Sequence, residues 1–90
     1  MFIIKVREGQ SVQVGDRVIT AAQVIRPGLV KVEIDGEPEP VLVSWDRKLT
    51  ILPGVTITVH RVVCFSEKIT LLFAAPRSVR IRELPYEPAE

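Results

Sequence analysis

Several residue types that carry the chemistry of small sites are nearly missing from this 90-residue chain, which has one cysteine (Cys64), one histidine (His60) and one tryptophan (Trp45). A single cysteine rules out an intramolecular disulfide and a thiolate metal cluster. A single histidine rules out a His-based metal site or a catalytic dyad built within one chain. Asp16 and Asp35 sit in turns, no spacing suggests a carboxylate pair, and none of the five glycines forms a phosphate-cradling loop. The expectation is therefore a protein that is not an enzyme and takes no cofactor or metal. Long apolar runs are missing too: none approaches the ~20 residues of a membrane span. Lys5 and Arg7 interrupt the N-terminus too early for a signal peptide, and Glu8, Gln10 and Asp16 come directly after, so a cytoplasmic protein with no membrane partner is expected. The formal net charge is only +1, which argues against a strong nonspecific nucleic-acid binder.

The chain is rich instead in alternation. Hydrophobic residues make up 47% of it and recur with a period of two, the signature of strands rather than helices. Phe2 to Arg7 opens a strand with Phe2, Ile4 and Val6 on one face, and Ser11 to Val14 alternates again before the Gly15-Asp16 turn. From Arg17 to Ile25, Val18, Thr20, Ala22 and Val24 fall on a common face. Pro27-Gly28 supplies a turn, and Val30 to Ile34 is the next strand, with its charges outward. Glu37-Pro38-Glu39-Pro40 reads as an extended connector, because two prolines remove two ladder donors. Further strands are predicted over 41–45, 49–52, 55–59 with a continuation to Phe65, 69–73 and 79–82. Two prolines, Pro85 and Pro88, mark 85–90 as a loose tail. A chain this short buries only ~60–65% of its unfolded surface, so an oligomer or an internal pseudo-dimer would help its core.

The chain also matches itself. A slide of 39 residues places Gly15 on Gly54, Val18 on Ile57, Thr20 on Val59, Val24 on Val63, Val30 on Ile69, Val32 on Leu71 and Ile34 on Phe73. The opening strand falls on 41–46. The reading is an all-β domain over 1–84, a small barrel or sandwich of eight or nine short antiparallel strands. It divides into one unit at about 1–40 and a second at about 41–84, with the strand at 41–46 serving both.

The stretch from Met1 to Val18 resembles the opening of the carbon storage regulator family, bacterial mRNA-binding translational regulators. Ile3, Arg7, Gly9, Gly15, Asp16, Val18 and Val30 sit at that family's spacing. A second hallmark, an Ala-Pro pair ahead of an alternating strand, stands at Ala75-Pro76 with Val79 to Glu83. The resemblance implies a five-stranded unit that forms an interlocked homodimer, with the first strand of one chain beside the fifth of the other. Each such edge binds GGA-containing RNA and alters translation or message stability. It implies an RNA contact by Ile4, Lys5, Arg7, Ala75, Pro76, Arg80 and Arg82, with a homo-oligomer or a mixed dimer with another family member as a further partner.

The chain departs from the pattern at Lys5 and Val6, where the family has threonine and arginine, and at Glu83, where the family has its key arginine. A bulge after Ile81 would turn Arg82 onto the face that position needs. In a tandem chain, the first strand (2–7) is expected to pair with the last (79–82), making one binding edge instead of two.

Other residues have plainer readings. His60 reads as a surface or satisfied polar residue and Cys64 as a small hydrophobe. Trp45 reads as packing with Val41 and Val43 rather than stacking on a base. Arg77, Arg80 and Arg82 form the densest basic cluster, open equally to an RNA contact and to a solvated edge that deters sheet-to-sheet aggregation. The alternative function is a protein-interaction or assembly module that keeps the fold without RNA binding.

Overall fold

The computed structural model describes residues 2–60 and 68–85, and within them the chain is all β. Nine strands run in order: β1 (Phe2–Arg7), β2 (Ser11–Val14), β3 (Arg17–Arg26), β4 (Leu29–Ile34), β5 (Val41–Ser44), β6 (Leu49–Leu52), β7 (Val55–Val59), β8 (Lys68–Ala74) and β9 (Ile81–Glu83). They form two antiparallel sheets, one ordered β1-β8-β7-β6 and the other β5-β4-β3-β2-β9. The expected continuation of β7 to Phe65, the partner Val63, Cys64 and the tail beyond Pro85 lie outside the described residues. Among the described residues no helix is long and apolar enough to cross a membrane.

The core lies between the sheets. Val6, Val55, Ile57, Leu71 and Phe73 from the four-stranded sheet meet Val12, Val14, Ile19, Ala21, Val30, Val32 and Val43 from the other. Each of these positions alternates with a more exposed neighbour, as a sheet with one wet face requires.

The halves of the chain are interlocked through their ends. β1 leaves the first half and pairs with β8 of the second, with Phe2 opposite Phe73, Ile4 opposite Leu71 and Val6 opposite Ile69. β9 leaves the second half and pairs with β2 of the first, with Val14 opposite Ile81 and Val12 opposite Glu83. The expected ladder between the first and last strands is therefore absent, and the two belong to different sheets. β8 takes β1 as its second ladder partner instead, and β1 sets Ile4 and Val6 opposite Leu71 and Ile69.

The two halves contain comparable strand pairs, at offsets that are not constant. β5 on β4 repeats β1 on β8: Val43 opposite Val30 has the role of Val6 opposite Ile69. By burial the offset is 39 residues for β4 on β8, one fewer for β3 on β7 and two fewer for β1 on β5. So Ile57 corresponds to Ile19 rather than Val18, and Val59 to Ala21 rather than Thr20. The expected common face of Val18, Thr20, Ala22 and Val24 is likewise corrected. Ile19 and Ala21 are the buried pair, Thr20 turns outward to share a hydroxyl hydrogen bond of 2.7 Å with Ser11, and a bulge at Ala22 reverses the faces so that Val24 lies opposite Val30.

The strand at 41–46 does not serve both halves. β5 takes only the first-strand role, and a single bridge from Ser44 to Arg47 joins it to the turn before β6. β9 flanks β2, whereas among the described residues no strand flanks the outer side of β6, the counterpart of β2.

Candidate nucleic-acid interface

Although β1 and β9 share no ladder, they end their respective sheets and come within 8 Å of each other, Cα to Cα. The contact is organised by a residue that the sequence did not single out. Gln10 lies just beyond β1 and is 8% exposed. Its side-chain Oε1 accepts from the Arg7 backbone N–H at 2.9 Å. Its Nε2 donates to Glu83 Oε1 at 3.1 Å and to the Leu84 carbonyl at 3.0 Å. An amide can accept and donate twice at once, so one buried side chain closes the end of β1 onto the end of β9. The only sequence signal for this role is a neutral amide in a turn between two apolar strands, which is not specific.

The seam has two ends. β1 begins beside Phe73, just before Ala75-Pro76, and ends at Arg7 beside Gln10. The other chain segment leaves Ala75, turns at Pro76 where the carbonyl accepts from Val79 N–H at 3.1 Å, and reaches Glu83 at the Gln10 end. Ala75 and Pro76 thus lie at one end of the seam, while Arg7 lies at the other beside Glu83. Six residues at ~3.3 Å each separate the ends by ~20 Å, enough for several nucleotides. Ala75 is half-buried against the core and Pro76 is exposed.

The outward residues of β1 are Ile3, Lys5 and Arg7, all exposed, while Ile4 turns inward and is half-buried against the core. Ile4 is thereby removed from the face that Lys5 and Arg7 present. Arg80 precedes β9 and is exposed, with its backbone carbonyl accepting from Gly15 N–H at 2.8 Å. Gly15 has φ +61, and an added Cβ there would meet Leu52 and Val79. The last strand begins at Ile81, so Val79 and Arg80 are not part of it. Its register against β2 is continuous, with no bulge after Ile81. Arg82 accordingly stays on the outer face, where Nε and Nη2 both donate to Gln13 Oε1 at 3.2 and 3.0 Å. Glu83 is not a substitute for a base-reading arginine: its carboxylate anchors Gln10.

The outer face of the five-stranded sheet is electrically divided. A cleft of about 550 Å³ is lined by Glu33, Asp35, Glu37 and Glu39 with Val18, Thr20 and the prolines at 38 and 40. Arg17 reaches Glu37 at 3.6 Å, an exposed pair of little energetic weight. These carboxylates repel phosphate from that part of the face. His60 is exposed, and its backbone N–H donates to the Thr70 carbonyl at 3.0 Å.

Trp45 departs from the packing expected of it. It lies in the turn after β5 and is 46% exposed. Its indole covers Gly28, where an added Cβ would stand only 2.6 Å from Cδ1, and its backbone N–H donates to the Gly28 carbonyl at 2.9 Å.

Comparison of the chain with protein-family models, with curated proteins and with solved structures returned no match.

Proposed function

We propose that this protein binds RNA along the β1/β9 seam and regulates translation or message stability, as the resemblance to carbon storage regulators implies, with GGA-type segments as the recognised sequence. The observation that carries the reading is the meeting of two sheet-ending strands, with Lys5 and Arg7 on the outer face of β1, Arg82 on that of β9 and Arg80 exposed just before it. Edge strands leave backbone donors and acceptors outside the ladder, and unstacked bases are read by such groups. The four cations would neutralise phosphates. Ala75 and Pro76 would contact the RNA at the far end of the seam.

The test is a titration against a hairpin with GGA in its loop, with a loop-scrambled hairpin as control, at two salt concentrations. Selective binding that weakens steeply with salt and falls at least tenfold in Arg7→Ala is the expected result. Equal or absent binding to both hairpins would overturn it.

One observation favours a second reading, a protein-interaction module. Glu83 places a carboxylate at the seam where the family has an arginine, and it is committed to Gln10. A partner held mainly by apolar contacts would bind with little dependence on salt.

A further inference from the structure

Taking the β1/β9 seam as an RNA site, the reading on which this step rests, we infer that Arg82 reads a guanine there and that Gln13 is the positioning residue that aims it. Gln13 belongs to β2, outside the two strands that form the seam, and it acts on RNA only through Arg82.

The aim is built into the ladder. Gln13 stands directly opposite Arg82, between the pairs Val12–Glu83 and Val14–Ile81. Val12 and Val14 are fully buried, so alternation turns Gln13, and Arg82 opposite it, to the outer face. There Gln13 Oε1 accepts from both Nε and Nη2 of Arg82, at 3.2 and 3.0 Å. The amide is itself held, because its Nε2 donates to the Gly15 carbonyl at 3.2 Å. The Gly15 N–H donates in turn to the Arg80 carbonyl at 2.8 Å. One tight turn, with its glycine at φ +61, therefore fixes both the backbone at Arg80 and the amide that holds Arg82.

A planar guanidinium has two forks of donors, one from Nε and Nη2 along its side and one from Nη1 and Nη2 at its end. Gln13 Oε1 occupies the side fork as a single acceptor. Among the described residues nothing occupies the end fork of Arg82, which is exposed. Two such donors match the O6 and N7 acceptors of guanine, whereas adenine sets its own N6 donor where guanine has O6. In a single-stranded loop that edge of the base is open to a side chain. A guanidinium held in advance also loses less freedom on docking, which favours a directional base contact over loose neutralisation of a phosphate.

The experiment titrates the full chain with the GGA hairpin, each loop guanine being replaced in turn by 7-deazaguanine, which keeps O6 and lacks N7. At one position the replacement should weaken binding to the wild-type chain about tenfold, and in Arg82→Ala the same replacement should cost about twofold at most. Gln13→Ala should lose the discrimination as Arg82→Ala does, although the arginine is still present. Gln13→Glu, which restores an acceptor for the side fork, should regain it. A purely structural role for Gln13 would instead weaken both hairpins together and keep their ratio. An unchanged ratio in Gln13→Ala, equal losses in wild type and Arg82→Ala, or no loss at any guanine in the wild type would overturn the assignment and leave the seam an RNA site. Failure of the wild-type chain to select the unmodified GGA hairpin over its scrambled control would overturn the reading of the seam and this assignment with it.

Discussion

β1 and β5 occupy equivalent places in the two sheets, yet they present opposite chemistry to solvent. Each ends its sheet, each pairs with an interior strand drawn from the other half of the chain, and each buries a valine completely, Val6 opposite Ile69 and Val43 opposite Val30. On the outer face Lys5 and Arg7 of β1 correspond to Leu42 and Ser44 of β5. β1 also has β9 beside it, tied on by Gln10, while among the described residues no strand pairs with the outer side of β5. The inward residues answer to the shared core and so remain alike. The outward ones answer only to what each edge meets, and there the halves have diverged.

That contrast can be broken in several places. The largest effect is expected in the core, where the halves should be unequal. Phe73 is fully buried, so Phe73→Ala should cost ~3–5 kcal/mol, a large part of the stability of a domain this size. Its counterpart Ile34, at the rim of the core, should cost ~2–3 kcal/mol as Ile34→Ala. Urea unfolding monitored by circular dichroism gives the order, and equal losses would mean the core is not centred on β8.

Next comes the seam. Gln10→Ala strands the Arg7 N–H, Glu83 and Leu84 groups it satisfies, and should cost ~2 kcal/mol. Hydrogen exchange should quicken at Arg7. If the amide there is unaffected, the seam does not depend on Gln10.

Smaller still is the ligand effect. Lys5→Ala and Arg7→Ala together should lower the salt slope of hairpin binding by about two, whereas Leu42→Ala should leave it unchanged. The smallest effect is expected from the graft Leu42→Lys/Ser44→Arg. Lacking a neighbouring fifth strand, β5 should gain no second hairpin site, and native mass spectrometry should still show one hairpin per chain.

Much of this architecture is legible in the residues alone. The strands at 2–7, 11–14, 49–52 and 55–59 come directly from alternation and from the turns at Gly15-Asp16 and Pro53-Gly54. The seven candidate site residues divide on inspection. Lys5, Arg7, Arg80 and Arg82 are exposed along the seam, Ala75 and Pro76 mark its far end, and Ile4 turns toward the core. Arg82 could not be placed from pattern alone, since a bulge after Ile81 would change its face and nothing in the local residues decides whether one occurs. Trp45 comes after two buried or half-buried valines in the pattern and so reads as a third, but the strand stops at Ser44 and the turn carries the indole outside.

Alternation and turn chemistry are local, set by side-chain polarity and by the few residues that tolerate a left-handed backbone. They were enough to establish an all-β chain and most of its strands. Which strand lies beside which is not a local property. β1 and β9 lie in opposite halves, where they pair with backbone groups of β8 and β2 that would otherwise face outward unpaired. Only that exchange brought the ends of the chain together at Gln10, and only the break in β5 left Trp45 on the surface.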